Sequence, residues 1–295
     1  MAQVDLHVHS TCSDGTFTPE ELVDYAYRKG LAAFALTDHD TVSGLDPAIG
    51  YAEELAKREA KKGSSVPVLA VIPGIELSTE YNGRDVHIVG LFIDHHNQEF
   101  LARLKEFSDS RTTRNIKMCE LLQGAGIPIT YEALLAEFPD SVITRAHYAR
   151  YMFDHGYIKS IAEAFDRYVG DHCPYFVPRE KVTPAMGVKL ILSAGGVPIL
   201  AHPILYGFGK SELEKLVMEL KQEGLVGIEA IYSTYKAPDE RKIRDLARKF
   251  DLKISGGSDF HGKNKPGLDL GNGYGSLNVP YSVLEDLKSR EAQIP

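Results

Sequence analysis

The histidines and carboxylates of this chain fall at spacings that suit metal binding. Apolar Val4, Leu6 and Val8 alternate with Asp5, His7 and His9, which is the period of a strand. His7 and His9 therefore point the same way from a sheet, and two neutral imidazoles so placed can grip one ion. Ser10 to Gly15 reads as a loop that returns the Asp14 carboxylate over the same spot. More groups of the same kind follow: His39, Glu76, His87, His202, Asp259 and His261. Burying that many imidazoles and carboxylates together without cations is costly in desolvation and repulsion. Because imidazole dominates, the set suits Mn, Fe or Zn better than Mg or Ca.

The elements that must position these groups alternate. A strand at Val4–Val8 is followed by a helix from Thr18 to about Lys29, with Thr18 and Glu21 forming a capping box, Pro19 at the first helical position and Gly30 as the stop. Leu31 to Leu36 reads as a buried strand ending in Thr37-Asp38-His39-Asp40, and a helix spans about Leu45 to Lys62. Val66 to Ile72 is the next strand, leading to Glu76, and Asp85 to Ile93 is another, carrying His87. After a break the rhythm resumes: a helix near Pro184–Ala194, a strand ending in Ala201-His202-Pro203, then helices at Ser211–Glu223 and Ala237–Phe250 alternating with strands at Val226–Ile231 and Leu252–Ser255. The last of these strands runs into Ser258-Asp259-Phe260-His261, and a Gly-rich loop then leads to a short helix at Tyr281–Ser289. Repeated strand–helix units imply parallel strands with right-handed crossovers. In a parallel barrel the strand ends meet on one face, which brings the nine groups together.

The break itself, residues 97–181, carries helical patterns and few strand signals, notably Phe100–Leu122, Thr144–His155 and Ile161–Tyr168. It reads as a helical subdomain inserted between 1–96 and 182–295 of the barrel. The net charge of −8 argues against duplex nucleic acid as a partner, while leaving room for a short anionic substrate at a metal site. The three cysteines are widely spaced, without a CxxC pair, so neither a disulfide framework nor a structural zinc site is indicated. No apolar run approaches the ~18 residues of a membrane span, and the N-terminus enters a strand without a basic and apolar leader, so a cytoplasmic protein is expected.

The set His7-x-His9, Asp14, Thr37-Asp38-His39, Gly74-x-Glu76, His87, Ala201-His202-Pro203 and Ser258-Asp259-x-His261 resembles the PHP family, named for polymerase and histidinol phosphatase. The resemblance covers the chain except the insert and fills all nine ligand positions of the family. It implies a distorted (β/α)7 barrel, two or three divalent metal ions at its mouth, with Mn expected and Fe or Zn as alternatives, and hydrolysis of a phosphoester by water that the ions activate, with no side-chain nucleophile. It assigns one ion to His7, His9, Glu76 and Asp259, a second to Glu76, His87 and His202, and a third to Asp14, His39 and His261. Asp38 and Asp40 flank His39; they either orient ligand imidazoles from behind or cap helices in solvent.

The insert narrows the substrate. Arg145 and His147, at the start of a helix, offer planar donors and helix amides to a phosphate; the ordinary reading is a basic helix face. The order of barrel, Arg-x-His helix and Ala-His-Pro is similar to the PHP branch of nucleoside 3′,5′-bisphosphate phosphatases and 5′→3′ exoribonucleases, whose phosphate-binding pair Arg145 and His147 match. Members of that branch often carry Gly-Arg-Tyr after Ala-His-Pro, where this chain has Ile204-Leu205-Tyr206. Tyr206, Tyr232 and Tyr235 either stack on a base or pack. The expected substrate is a small phosphorylated molecule, a nucleotide or the 5′ end of short single-stranded RNA. A histidinol-phosphate-type phosphatase and a non-catalytic metal-binding module are the competing readings.

Overall fold

The first strand–helix unit follows its local signals. In the computed structural model, which describes residues 2–62, 69–178 and 182–291, β1 (Gln3–Val8) leads to α1 (Pro19–Lys29). The Thr18 hydroxyl accepts from the Glu21 N–H while Glu21 accepts from the Thr18 N–H, and Gly30 closes the helix with a left-handed φ of 73°. β2 (Ala33–Leu36) is buried along its length, and α2 (Leu45–Lys61) covers it. The part of the strand expected at Val66–Ile72 that precedes residue 69 lies outside the described residues.

The third strand departs from expectation. β3 (Ala70–Tyr81) does not stop at Ile72: it runs on through Glu76 and pairs with β4 (Arg84–Leu91) as an antiparallel hairpin. Pro73-Gly74 looks like a strand terminus because Pro and Gly are the usual punctuators. Here it marks a change of partner instead, since β3 pairs with β2 in parallel up to Pro73 and with β4 from Gly74 onward. β4 is also antiparallel to β5 (Val197–Leu200), so the wholly parallel barrel of the sequence reading is corrected to a mixed one.

The remaining units are as periodic as the sequence implies. α7 (Pro184–Ser193) precedes β5, α8 (Lys210–Gln222) connects it to β6 (Gly227–Tyr232), and α9 (Ala237–Lys249) connects that to β7 (Lys253–Gly257). A two-residue strand, β8 (Val279–Pro280), lies antiparallel to β1, and α10 (Tyr281–Glu291) follows it. The strand order is β7-β6-β5-β4-β3-β2-β1-β8. β7 returns to β1 just past its own end, where the Asp259 N–H donates to the His7 carbonyl at 2.8 Å and the His9 N–H to the Phe260 carbonyl at 3.0 Å. The approach needs glycine, because a Cβ at Gly257 would stand 2.5 Å from the His7 Cβ. The result is a nearly closed α/β barrel, in agreement with the expected fold class.

Between β4 and α7 the chain forms α3 (Gln98–Gly124), α4 (Tyr131–Glu137), α5 (Arg145–Asp154) and α6 (Ile161–Arg167). α3 belongs to two cores. Phe100, Leu104 and Phe107 pack with the barrel helices, while Met118 and Leu122 pack with Leu134, Tyr148 and Met152 of the following helices. The insertion is also tied to the loop after β1: the Val142 N–H donates to the Cys12 carbonyl at 3.0 Å and the Ser141 hydroxyl to the Thr11 carbonyl at 2.7 Å. No helix among the described residues is long and apolar enough to cross a membrane.

Candidate metal centre

The nine side chains gather at one end of the barrel, around Glu76. His7 Nε2 and His9 Nε2 each lie 3.1 Å from Glu76 Oε2, and His39 Nδ1 lies 3.3 Å from it. The other oxygen, Oε1, faces His87 Nδ1 at 2.9 Å and His202 Nε2 at 3.0 Å. Asp259 Oδ1 stands 3.4 Å from His9 Nε2. Asp14 Oδ1 stands 3.1 Å from His261 Nε2, and Asp14 Oδ2 stands 3.9 Å from His39 Nε2. Three sets have donor atoms all within 4.8 Å of one another: His7, His9, Glu76 and Asp259; His9, Asp14, His39 and His261; and His39, Glu76 and His87. His202 reaches the centre through Glu76.

Backbone conformation contributes to this convergence. Asp40, His202 and Asp259 have φ of 51°, 27° and 56°, a region non-glycine residues rarely occupy and one that tends to mark functional sites. All three stand in the segments that follow strands.

Four of the six imidazoles are held from behind. His7 Nδ1 donates to Glu229 Oε1 at 3.2 Å, and Glu229 Oε2 accepts the His202 N–H at 2.8 Å. His9 Nδ1 meets the Ser13 hydroxyl at 3.3 Å, which donates to Asp38 Oδ1 at 2.6 Å. His261 Nδ1 donates to the Asp259 carbonyl at 2.9 Å. His39 Nδ1 lies 3.3 Å from Ser78 Oγ, which accepts from Arg111 Nη2 at 2.6 Å, and Arg111 in turn pairs with Asp40 at 2.7 Å. Asp38 and Asp40 are thus buried residues that reach the imidazoles through Ser13 and Ser78, rather than solvated caps.

The electrostatics fit cations. Burial by itself would raise the carboxyls of Asp14, Glu76 and Asp259, yet the neighbouring charges hold all three well below the usual range: chiefly His261 and His39 for Asp14, His7 and His39 for Glu76, and Lys265 and His7 for Asp259. Burial pushes His39 down to about 3, against the pull of Glu76 and Asp14. Burial also opposes protonation of His7, but Glu76 and Glu229 raise it well above its ordinary value. His9 rises to about 9 against burial, through Asp259 and Glu76. The carboxylates thus draw positive charge to this centre, and bound metal would displace any protons those imidazoles carry. The buried Nε2 atoms of His7 and His9 and Asp14 Oδ1 have no hydrogen-bond partner, as expected of atoms left free to ligate. The residues fit a metal centre.

The centre opens into a cavity of about 700 Å³ that Arg111, Arg114, Arg145, Lys263 and Lys265 also line. Arg145 reaches it from the insertion, paired with Asp85 at 3.0 Å and with Asp171, and its guanidinium lies over the Phe176 ring. His147 is placed differently. Its Nδ1 accepts the Thr144 N–H at 2.9 Å and so caps α5, its ring packs on Phe138, and it is not among the residues lining the cavity. The Thr144 hydroxyl donates to Asp14 Oδ2 at 2.8 Å, which fastens α5 to the metal loop. Of the tyrosines, Tyr206 and Tyr235 turn their hydroxyls to backbone groups of Ala201 and Ile204, and Tyr232 donates to Asp259 Oδ2 at 2.6 Å. These are packing and positioning contacts, and Tyr232 alone of the three lines the cavity.

Sequence reasoning passed over Glu229, Asp5, Arg111 and Lys265. Glu229 had a signal, a carboxylate inside the otherwise apolar strand Gly227–Tyr232. Asp5 accepts the Ser258 and Gly271 N–H groups, each at 2.8 Å, and so seals the β1–β7 seam. Lys265 pairs with Asp259 across the cavity wall. Asp46, His95 and His96 form one more donor group, exposed and away from this cavity.

Barrel and donor rim together define an α/β barrel with a multi-ligand metal centre at its mouth. The PHP domain model matches residues 5–170, and the chain belongs to the PHP family. It is 37% identical over 257 residues to a 5′-3′ exoribonuclease of Haemophilus influenzae, covering 87% of this chain and 89% of that one. It is 34% identical over 274 residues to a 3′,5′-nucleoside bisphosphate phosphatase of Chromobacterium violaceum, covering 92% of each. A solved structure from Chromobacterium violaceum, described as an amidohydrolase with bound sulfate and no metal, superposes with a TM-score of 0.81 at 32% identity, covering 98% of this chain and 97% of that one.

Proposed function

We propose that this chain is a metal-dependent phosphoesterase that removes a phosphate from a nucleotide, such as a nucleoside 3′,5′-bisphosphate, or cleaves at the 5′ end of a short single-stranded RNA. One observation carries the reading: nine imidazole and carboxylate groups meet around Glu76 in a cavity whose other wall carries Arg145. The names of the relatives support the nucleotide class over a histidinol-phosphate-type substrate or a non-catalytic module. His7, His9, Glu76 and Asp259 would hold one ion, Glu76, His87 and His202 a second, and Asp14, His39 and His261 a third, with manganese favoured by the imidazole-rich set. When bound, such ions supply Lewis acidity to the phosphoryl group and to the attacking water.

The protein's own groups do the rest. Glu229, Ser13 and Ser78 fix the ring orientations, so the donor atoms are in place before substrate arrives. Arg145, held between Asp85 and Asp171, presents a rigid fork to phosphate oxygens that face away from the centre. Residues 97–181 serve as the roof that brings Arg145 over the barrel mouth and excludes water. No side chain acts as nucleophile. A cytoplasmic location, where nucleotides and RNA fragments arise, suits this reading.

The test is a panel of adenosine 3′,5′-bisphosphate, AMP, histidinol phosphate and short 5′-phosphorylated RNA, assayed with manganese-loaded protein. The bisphosphate or the RNA should show the highest kcat/KM. Faster turnover of histidinol phosphate would overturn the nucleotide assignment.

A further inference from the structure

The two most exposed large apolar side chains among the described residues are Tyr274, at 54%, and Leu205, at 53%. They are distant in sequence, and both line the cavity that holds the metal centre. Single exposed apolar residues are ordinary, but two such residues converging in one concave site are not. Pro266 also lines the cavity, and Ile161 and Phe165 of α6 add apolar surface from the insertion. The cavity therefore has two characters: imidazoles, carboxylates and cations at the barrel end, and a hydrophobic rim drawn from three separate segments.

Both exposed residues stand on short hydrogen-bonded turns. Leu205 sits in the 3₁₀ turn Pro203–Tyr206, which begins at His202, so the turn that places a candidate ligand also places Leu205. Tyr274 stands in the Gly-rich loop between β7 and β8. Asp269 and Gly273 exchange both backbone hydrogen bonds at 2.8 Å, and Gly273 and Gly275, which flank Tyr274, have φ of 57° and 104°. The Tyr274 ring lies beside Gly267, where a Cβ would be 3.8 Å from its Cε1. An apolar side chain already held on a short turn loses little entropy when a flat ring covers it.

We propose that Leu205 and Tyr274 form the nucleobase subsite, clasping the base while its phosphate lies at the metal centre. This rests on the nucleotide reading above and replaces Tyr206, Tyr232 and Tyr235 as the stacking groups. Stacking on an aromatic face tolerates any base, so the subsite selects for the presence of a base rather than for its identity.

The experiment compares adenosine 3′,5′-bisphosphate with its base-free analogue, in which hydrogen replaces adenine, in wild type, Leu205→Ala, Tyr274→Ala and Tyr274→Phe. Wild type should favour the base-bearing substrate. Each alanine variant should lose about tenfold in kcat/KM on that substrate, mainly through KM, with the base-free analogue unaffected and Tyr274→Phe close to wild type. A wild-type preference that survives in both alanine variants overturns the subsite, as does an equal loss on both substrates. Turnover of both substrates without preference also overturns it while leaving the phosphoesterase reading intact. Turnover of neither, with histidinol phosphate accepted, shows that the underlying reading has failed.

Discussion

Glu229 shows at the scale of one residue how much of the centre lies behind the donor atoms. Its two oxygens hold the His7 ring and the His202 backbone, so a single carboxylate orients two candidate ligands. Glu229→Ala should lower metal affinity by about 10–100-fold, the usual effect of losing such support, while the barrel stays folded. Titration of metal-free protein with Mn²⁺, followed by calorimetry, reads this directly; unchanged affinity would mean that the rings are oriented by packing alone. His7 and His9 were legible because strand alternation puts both on one face. Glu229 was not, because a carboxylate in an apolar strand announces burial without naming its partner. His147 shows the same limit: at the third position of a capped helix an imidazole can serve a ligand or its own helix, and here its Nδ1 caps α5 while its ring packs on Phe138.

At the scale of elements, α5 couples the insertion to the metal loop through Thr144 and Asp14, and its N-terminal cap depends on neutral His147. Burial lowers His147 from its ordinary 6.5 to about 4. In the unfolded chain the same ring protonates near 6.5, so between those values the unfolded state binds more protons and stability rises with pH. Stability contributed by the cap should therefore be complete above about pH 7 and fall as pH drops towards 4, by on the order of 3 kcal/mol. His147→Gln keeps a capping-box acceptor without the titration. Denaturant unfolding at pH 7 and pH 5 should show wild type losing more stability than His147→Gln over that range, and parallel losses would refute the assignment. The first helix could be read from its caps, Thr18 and Gly30. The two-residue β8 was missed because a segment so short carries too little periodicity to register.

At the scale of the whole molecule, the topology was legible where strand and helix alternate and illegible where they do not. The β3–β4 hairpin breaks the parallel rule, and with it the simple picture of every ligand at a parallel strand's end. Glu76 lies within β3 and His87 within β4, opposite Ser78. The hairpin still delivers them, because both strands cross the barrel mouth before turning.

The central claim, that the gathered side chains make a metal centre for phosphoester hydrolysis, is tested most directly by removing the metal. Protein stripped with a chelator should hydrolyse adenosine 3′,5′-bisphosphate no faster than buffer. Added Mn²⁺ should restore turnover as more than one ion per chain is taken up, and Glu76→Gln, which removes the charge facing five imidazoles, should neither bind the full complement nor recover. Full turnover by exhaustively stripped wild-type protein, with metal content confirmed as negligible, would contradict the account.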